Sequence, residues 1–308
     1  MKKLFINPTD QRLRAGWRIL LTIILFLSLN ILLSVGIRTI LGGLKAEGTL
    51  WWAILGFSAT VAAFISRKYF DKKNLPSLGL NFDKHAIIDL FSGVINSAIV
   101  MALTYLIMLH FDLIEFVGFS WWTDDAHSTS FSLSVLPTAL AVLWSFMIVA
   151  WWEELFFRGI ILQNIKEGLN MKWAIILSTM AFGLVHAGNP NATVLSTVII
   201  MIITLQLVYA YLKTKQLWLP IGLHLGWNFF QASVFGYASS GHESPTLITQ
   251  NPIGPDWLSG GAFGAEGSII LIPLLLGSLV LINLSVRWTR KSGDVVQILL
   301  KDFQPNYS

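Results

Sequence analysis

Residues 135–163 read VLPTALAVLWSFMIVAWWEELFFRGIILQ. The run is apolar for 29 residues, and only Glu153, Glu154 and Arg158 in it carry charge. About 20 apolar residues suffice for a helix to cross the ~30 Å hydrocarbon core of a bilayer. The stretch therefore reads as a membrane helix that tilts or protrudes and buries charge inside the protein.

Working outward, comparable spans fall at roughly 19–37, 50–66, 87–109, 173–188, 194–212, 217–236 and 268–286. With 135–163 they make about eight. The chain of 308 residues is 54% hydrophobic and 12% charged. Soluble proteins carry about 25% charged residues. The mean hydropathy of +0.65 points the same way. The expected fold is an all-α polytopic membrane protein, a helical bundle around a buried polar site. Three regions are expected: 1–130 with helices 1–3, 131–238 as the core with helices 4–7, and 239–308 with an outer loop, helix 8 and a tail. The polar, basic stretch before residue 19 leads into its span without a small-residue cleavage site, so the first helix is expected to be retained.

Charge sets orientation. With the N-terminus in the cytosol, 19 of the 21 Lys and Arg fall on the cytosolic side, and only Arg38 and Lys45 fall outside. One span too many or too few would invert every later loop and destroy that asymmetry. Both termini are expected in the cytosol of a prokaryotic plasma membrane. The pI of about 9.3 arises from short basic tufts between spans. Such tufts fit headgroup contact rather than nucleic-acid binding. The chain has no cysteine, so disulfides, thiolate metal sites and a Cys nucleophile are excluded.

Polar groups inside spans are costly and mark function. The fourth span holds Glu153, Glu154 and Arg158. The fifth ends in FGLVH, with Phe182 and His186, and the seventh contains HLGWN, with His224 and Asn228. Glu154 and Arg158 are four apart and can pair on one face. Glu153 is rotated about 100° from Glu154 and has no cation at helical spacing on its own face. At 1.5 Å per residue, Glu153, His186 and Asn228 each lie about 20 Å from the nearest basic loop residue, so one site at one depth is expected. A carboxylate there can act as a general base toward water, and an imidazole can help hold that water. A second His and an Asn amide can donate to an oxyanion. Glu153, His186 and His224 are also a plausible Zn²⁺ ligand set, although HExxH is absent. Helical spacing alone does not choose between these.

EExxxR, FxxxH and HxxxN in that order, on membrane helices, resemble the CAAX protease and bacteriocin-processing (Abi) family of intramembrane proteases. The resemblance covers about 145–235. It implies Glu153 as the base activating water, Glu154 as its supporting neighbour and Arg158 as partner of the glutamate pair. It implies that His186 positions the water, that His224 and Asn228 stabilise the oxyanion, and that Phe182 packs under the site. The expected activity is an intramembrane endopeptidase of glutamate type, with no cofactor, acting on a membrane-associated protein or peptide. A zinc-dependent version and a non-catalytic membrane scaffold are the alternatives. A transporter ranks last, because the first half carries no counterpart of the EE or HxxxN motifs. His85, His110, His127 and His242 are expected in solvated positions. The glycines of 258–268 are expected to form a flexible outer loop or a short re-entrant turn.

Overall fold

The computed structural model describes residues 2–43, 48–125, 128–131 and 135–289. Each expected span coincides with a helix. These are α1 (Ala15–Ile40), α2 (Gly48–Phe70), α3 (Lys84–His110), α4 (Val135–Gly168), α5 (Met171–His186), α6 (Val194–Thr214), α7 (Trp218–Asn228, continuing through Phe229–Val234) and α8 (Leu271–Thr289). The protein is a polytopic helical membrane protein. Among the described residues, six helices are long and apolar enough to cross a bilayer by themselves. The other two are α5 and α7. The 16 residues of α5 rise about 24 Å, less than the ~30 Å core. The expectation of about eight spans thus holds for the helices, while two of them are short. Those two carry His186, His224 and Asn228.

Three helices contain wide turns with i→i+5 hydrogen bonding: Ser66–Phe70 in α2, Leu155–Leu162 in α4 and Phe229–Val234 at the end of α7. The second begins directly after Glu154 and the third directly after Asn228. Such turns re-aim the side chains that follow and gather at functional sites.

The closest helix pair is α3 with α7, and small residues permit it. A Cβ on Gly222 would lie 2.0 Å from the Leu90 carbonyl oxygen, and one on Gly93 2.4 Å from the Leu223 nitrogen. Gly226 faces Val94 in the same way. Helices gain little from apolar burial inside lipid, so backbone approach and dispersion hold such a pair together. The contact fixes how α7 is rotated, and therefore where His224 between the two glycines points. A buried polar contact joins α3 to α8, where Asn96 donates to the Ser278 carbonyl at 3.1 Å. Gln206 of α6 donates to the Ser278 hydroxyl.

The two ends of the bundle differ. At the Lys/Arg-rich end, the fully buried Asp71 accepts from Arg18 at 2.9 Å and Arg67 at 3.0 Å. Arg18 also meets Glu167 at 3.1 Å, and Arg12 meets it at 3.3 Å. This cluster ties α1, α2 and α4 together. At the other end four short strands depart from the all-helical expectation. β1 (Ile114–Phe119) pairs antiparallel with β4 (Ile248–Pro252), and β2 (Trp122–Asp125) pairs with β3 (Ser128–Phe131). Ile114 faces Pro252 and Phe119 faces Ile248, with an irregularity between Phe116 and Gly118. The pairing closes two long links over the bundle.

Replacing Gly222 by Ala adds a methyl where the Leu90 backbone already sits, so α3 and α7 must separate. Overpacking of this kind costs about 1–3 kcal/mol. The melting temperature of the detergent-solubilised variant should fall by several degrees. Gly36→Ala, at a glycine with open space around its Cβ position, should leave it unchanged.

Candidate active site

α4 delivers its two glutamates to different places. Glu154 is fully buried, and its Oε1 accepts from Arg158 Nη1 at 2.8 Å. The same oxygen lies 2.9 Å from His224 Nδ1 on α7. A carboxylate oxygen that already receives a guanidinium accepts again, so Nδ1 carries the hydrogen and donates. In the neutral ring this leaves Nε2 with a free lone pair. Nε2 points at Glu153 Oε2, 3.7 Å away. That spacing is too long for a direct hydrogen bond and short enough for one water to touch both.

Glu153 is the unmatched carboxylate. Among the described residues its Oε2 has no hydrogen-bond partner in the protein. The cluster holds two carboxylates and one guanidinium, and the charge without a guanidinium partner is the one on the cavity wall. Glu154 and Arg158 sit behind that wall and do not line it.

His186 closes α5. Its Nδ1 lies 2.8 Å from the Phe182 carbonyl oxygen one turn back. A carbonyl oxygen only accepts, so Nδ1–H donates and Nε2 is the ring's free nitrogen. Phe182 is a hub. Its ring stacks on His186 with centroids 4.5 Å apart, meets the edge of His224 at 6.1 Å and receives the Arg158 guanidinium at 4.7 Å. The last contact is a cation–π interaction in a desolvated place. Phe182 therefore aligns three site residues, consistent with the packing role expected of it. Asn228 is buried, and its Oδ1 accepts from Ser239 at 3.4 Å. The amide hydrogens of Asn228 remain available to the cavity.

All of these face one cavity of about 560 Å³. It touches Glu153, Phe182, His186, His224 and Asn228 together. Every cavity-facing position expected from the sequence is brought to it. Three features were not anticipated. Glu266 is buried on the same wall, where it accepts from Trp227 Nε1 at 2.9 Å, from the Ser240 amide at 2.8 Å and from the Ser240 hydroxyl at 2.7 Å. His242 is exposed as expected but also borders the cavity. The glycine-rich 258–268 is a packed series of short turns rather than a flexible loop. Gly260, Gly261 and Gly264 have φ of 86°, 54° and 95°, and a Cβ on Gly264 would lie 1.8 Å from the Ala238 carbonyl. The signal for Glu266 was a single acidic residue in a glycine-rich link, which spacing could not connect to α7. His127 lies outside the described residues.

The zinc alternative can be tested against the donors. Among the described residues, no group of three or more His, Asp or Glu side chains is arranged to hold a metal ion. Glu153 and His224 approach each other at 3.7 Å, and each His directs Nδ1 to a carboxylate or carbonyl and keeps Nε2 free, an orientation that a metal-bound His also adopts.

Residues 135–230 match the family described as Type II CAAX prenyl endopeptidase Rce1-like. The core is CAAX-endopeptidase-like. The resemblance carried by the three motifs is borne out over the segment that contains them. The chain is also 26% identical over 192 residues to a protein of Bacillus subtilis (strain 168) named "Putative membrane peptidase YdiL", covering 61% of this chain and 71% of that one. No solved structure matches the chain.

Within this CAAX-endopeptidase-like core the two glutamates should respond oppositely to mutation. Arg158→Met leaves Glu154 buried without its guanidinium. Breaking a buried pair costs roughly 3–5 kcal/mol, so thermal unfolding in detergent should shift down by many degrees. Glu153→Gln removes an unmatched charge and should unfold at the same temperature or higher.

Proposed function

We propose that this protein is a membrane protease, an intramembrane endopeptidase of glutamate type. It hydrolyses a peptide bond of a membrane-associated protein or peptide with a water activated by Glu153. The observation that carries this reading is the division of labour in the EE pair. Glu154 is spent on Arg158 and His224, while Glu153 faces the cavity without a cation.

The chemistry follows from the free atoms. A water between Glu153 Oε2 and His224 Nε2 gives one hydrogen to each. Glu153 takes its proton as the water oxygen bonds to the substrate carbonyl carbon, a role worth about 10²–10⁴ in rate. The Asn228 amide donates to the oxyanion, and Ser239 at its Oδ1 turns the amide hydrogens inward. The proton then passes from Glu153 to the leaving amine as the C–N bond breaks. Amide and water become acid and amine. His186 offers Nε2 as an acceptor on the neighbouring wall, and its stacking on Phe182 holds it there. His224 thus sits closer to the water than to the oxyanion role that the motif resemblance implies. No step of this scheme uses a metal.

The test is comparative proteomics of membrane peptides from cells carrying wild type, Glu153→Gln or His186→Ala at matched protein levels. Peptides produced by wild type should fall at least about 100-fold in Glu153→Gln. Cleavage at the wild-type rate in both variants would overturn the proposal and favour the scaffold. With purified enzyme, strong chelators should leave cleavage unchanged. Loss with chelator and recovery with Zn²⁺ would replace the glutamate mechanism by the metal one.

A further inference from the structure

We propose that substrate reaches Glu153 from the end of the bundle opposite the Lys/Arg-rich segments. It enters as an extended apolar segment of a polypeptide anchored on, or exported to, the extracytoplasmic side. This rests on the protease reading for the word substrate, but the route itself is a property of the cavity.

One face of α4 forms the floor of the route. Thr138, Ala141, Ser145, Val149 and Glu153 all line the cavity, at the three- and four-residue steps of a single helical stripe. From Thr138 to Glu153 the helix rises about 22 Å. An extended chain covers that distance in about seven residues. Apart from the polar site at its inner end, the wall is formed mainly by apolar and small side chains. Its outer rim includes Gly48 and Thr49 at the start of α2, and Asn189, Ser240 and Glu243 in the links. Thr49 and Ser145 are hydrogen-bonded at 3.1 Å, which joins α2 to α4 along the route.

The rim lies at one end only. His186 is the last residue of the short α5, and Asn228 lies near the end of α7, so both helices run out toward the links that border the cavity. Among the described residues no Lys or Arg lines the cavity, and its acidic side chains are Glu153, Glu243 and Glu266. The basic residues Arg18, Arg67, Lys84, Lys166 and Lys213 belong to the opposite end of the helices, and Arg12 and Lys73 flank that end. The excess of Lys and Arg marks the cytosolic side, which puts the cavity rim on the extracytoplasmic side. A cavity of about 560 Å³ along this floor holds an extended segment and not a helix, whose diameter with side chains is about 10–12 Å. A cytosolic chain end carrying a lipid would have to enter from the other end, where the ion cluster around Asp71 ties α1, α2 and α4 together.

The chain has no cysteine, so single cysteines report access directly, whether or not the protein is a protease. Ser244→Cys marks the rim, Ser145→Cys the middle of the route and Lys84→Cys the opposite end. A membrane-impermeant maleimide is applied to intact cells and, separately, to inverted membrane vesicles. In cells, Ser244→Cys and Ser145→Cys should label at least tenfold faster than Lys84→Cys, with the order reversed in vesicles. Faster labelling of Lys84→Cys in cells would overturn the proposed side. Failure of Ser145→Cys to label from the rim side, while Ser244→Cys does, would overturn the route. If both label as expected and no membrane peptide differs between cells with and without the protein, the route stands and the protease reading falls.

Discussion

Glu154 Oε1 receives Arg158 from its own helix and His224 from α7. Inside a membrane protein such a contact has no cheap substitute, because an unpaired charge there is costly. It fixes two things at once. It sets the distance and rotation of α4 against α7, and it determines the tautomer of His224. The Nε2 lone pair that faces Glu153 exists because Nδ1 is occupied on the other side. The cavity-facing carboxylate is therefore defined by its neighbour: one member of a sequential pair is spent on Arg158 and His224, and the other is left over.

The rest of the bundle is arranged around that contact. Gly222 and Gly226 bring one face of α7 against α3, and His224, two residues from each, is on the opposite face of the helix. The short α5 ends at His186. Its neighbour Phe182 carries contacts to His186, His224 and Arg158 that would otherwise need three separate supports. The glycine turns of 258–268 bring Glu266 against Trp227 and Ser240, which joins an extramembrane link to the helix that holds Asn228.

Much of this was legible in the sequence because membrane burial is so restrictive. An apolar run with Glu153, Glu154 and Arg158 inside it has few solutions, and the four-residue step from Glu154 to Arg158 already named the pair. Phe182 and His186, and His224 and Asn228, followed by the same spacing. What spacing could not supply was the contact between helices. Nothing in HLGWN says that His224 meets Glu154 through Nδ1, and so the placement of its other nitrogen beside Glu153 was out of reach. Glu266 was missed for a related reason: it lies 38 residues beyond Asn228 in the chain, and its place depends on positive-φ glycines folding a link back on itself. The pairing of β1 with β4 was missed because the two are separated by more than a hundred residues, with no turn signal to pair them.

The cluster around Asp71 carries a consequence for biogenesis. The Lys/Arg asymmetry of the sequence counts Arg12, Arg18 and Arg67 among the charges expected to orient the nascent chain, when no tertiary contact yet masks them. In the finished bundle the same guanidiniums are engaged, Arg18 by Asp71 and Glu167, Arg67 by Asp71, Ser77 and Gln163, and Arg12 by Asp10 and Glu167. Topogenic signal and structural clamp are thus one set of side chains used at two stages. Asp71 and Glu167 act only at the second, so the fold can bury its orienting charges once the translocation machinery has read them.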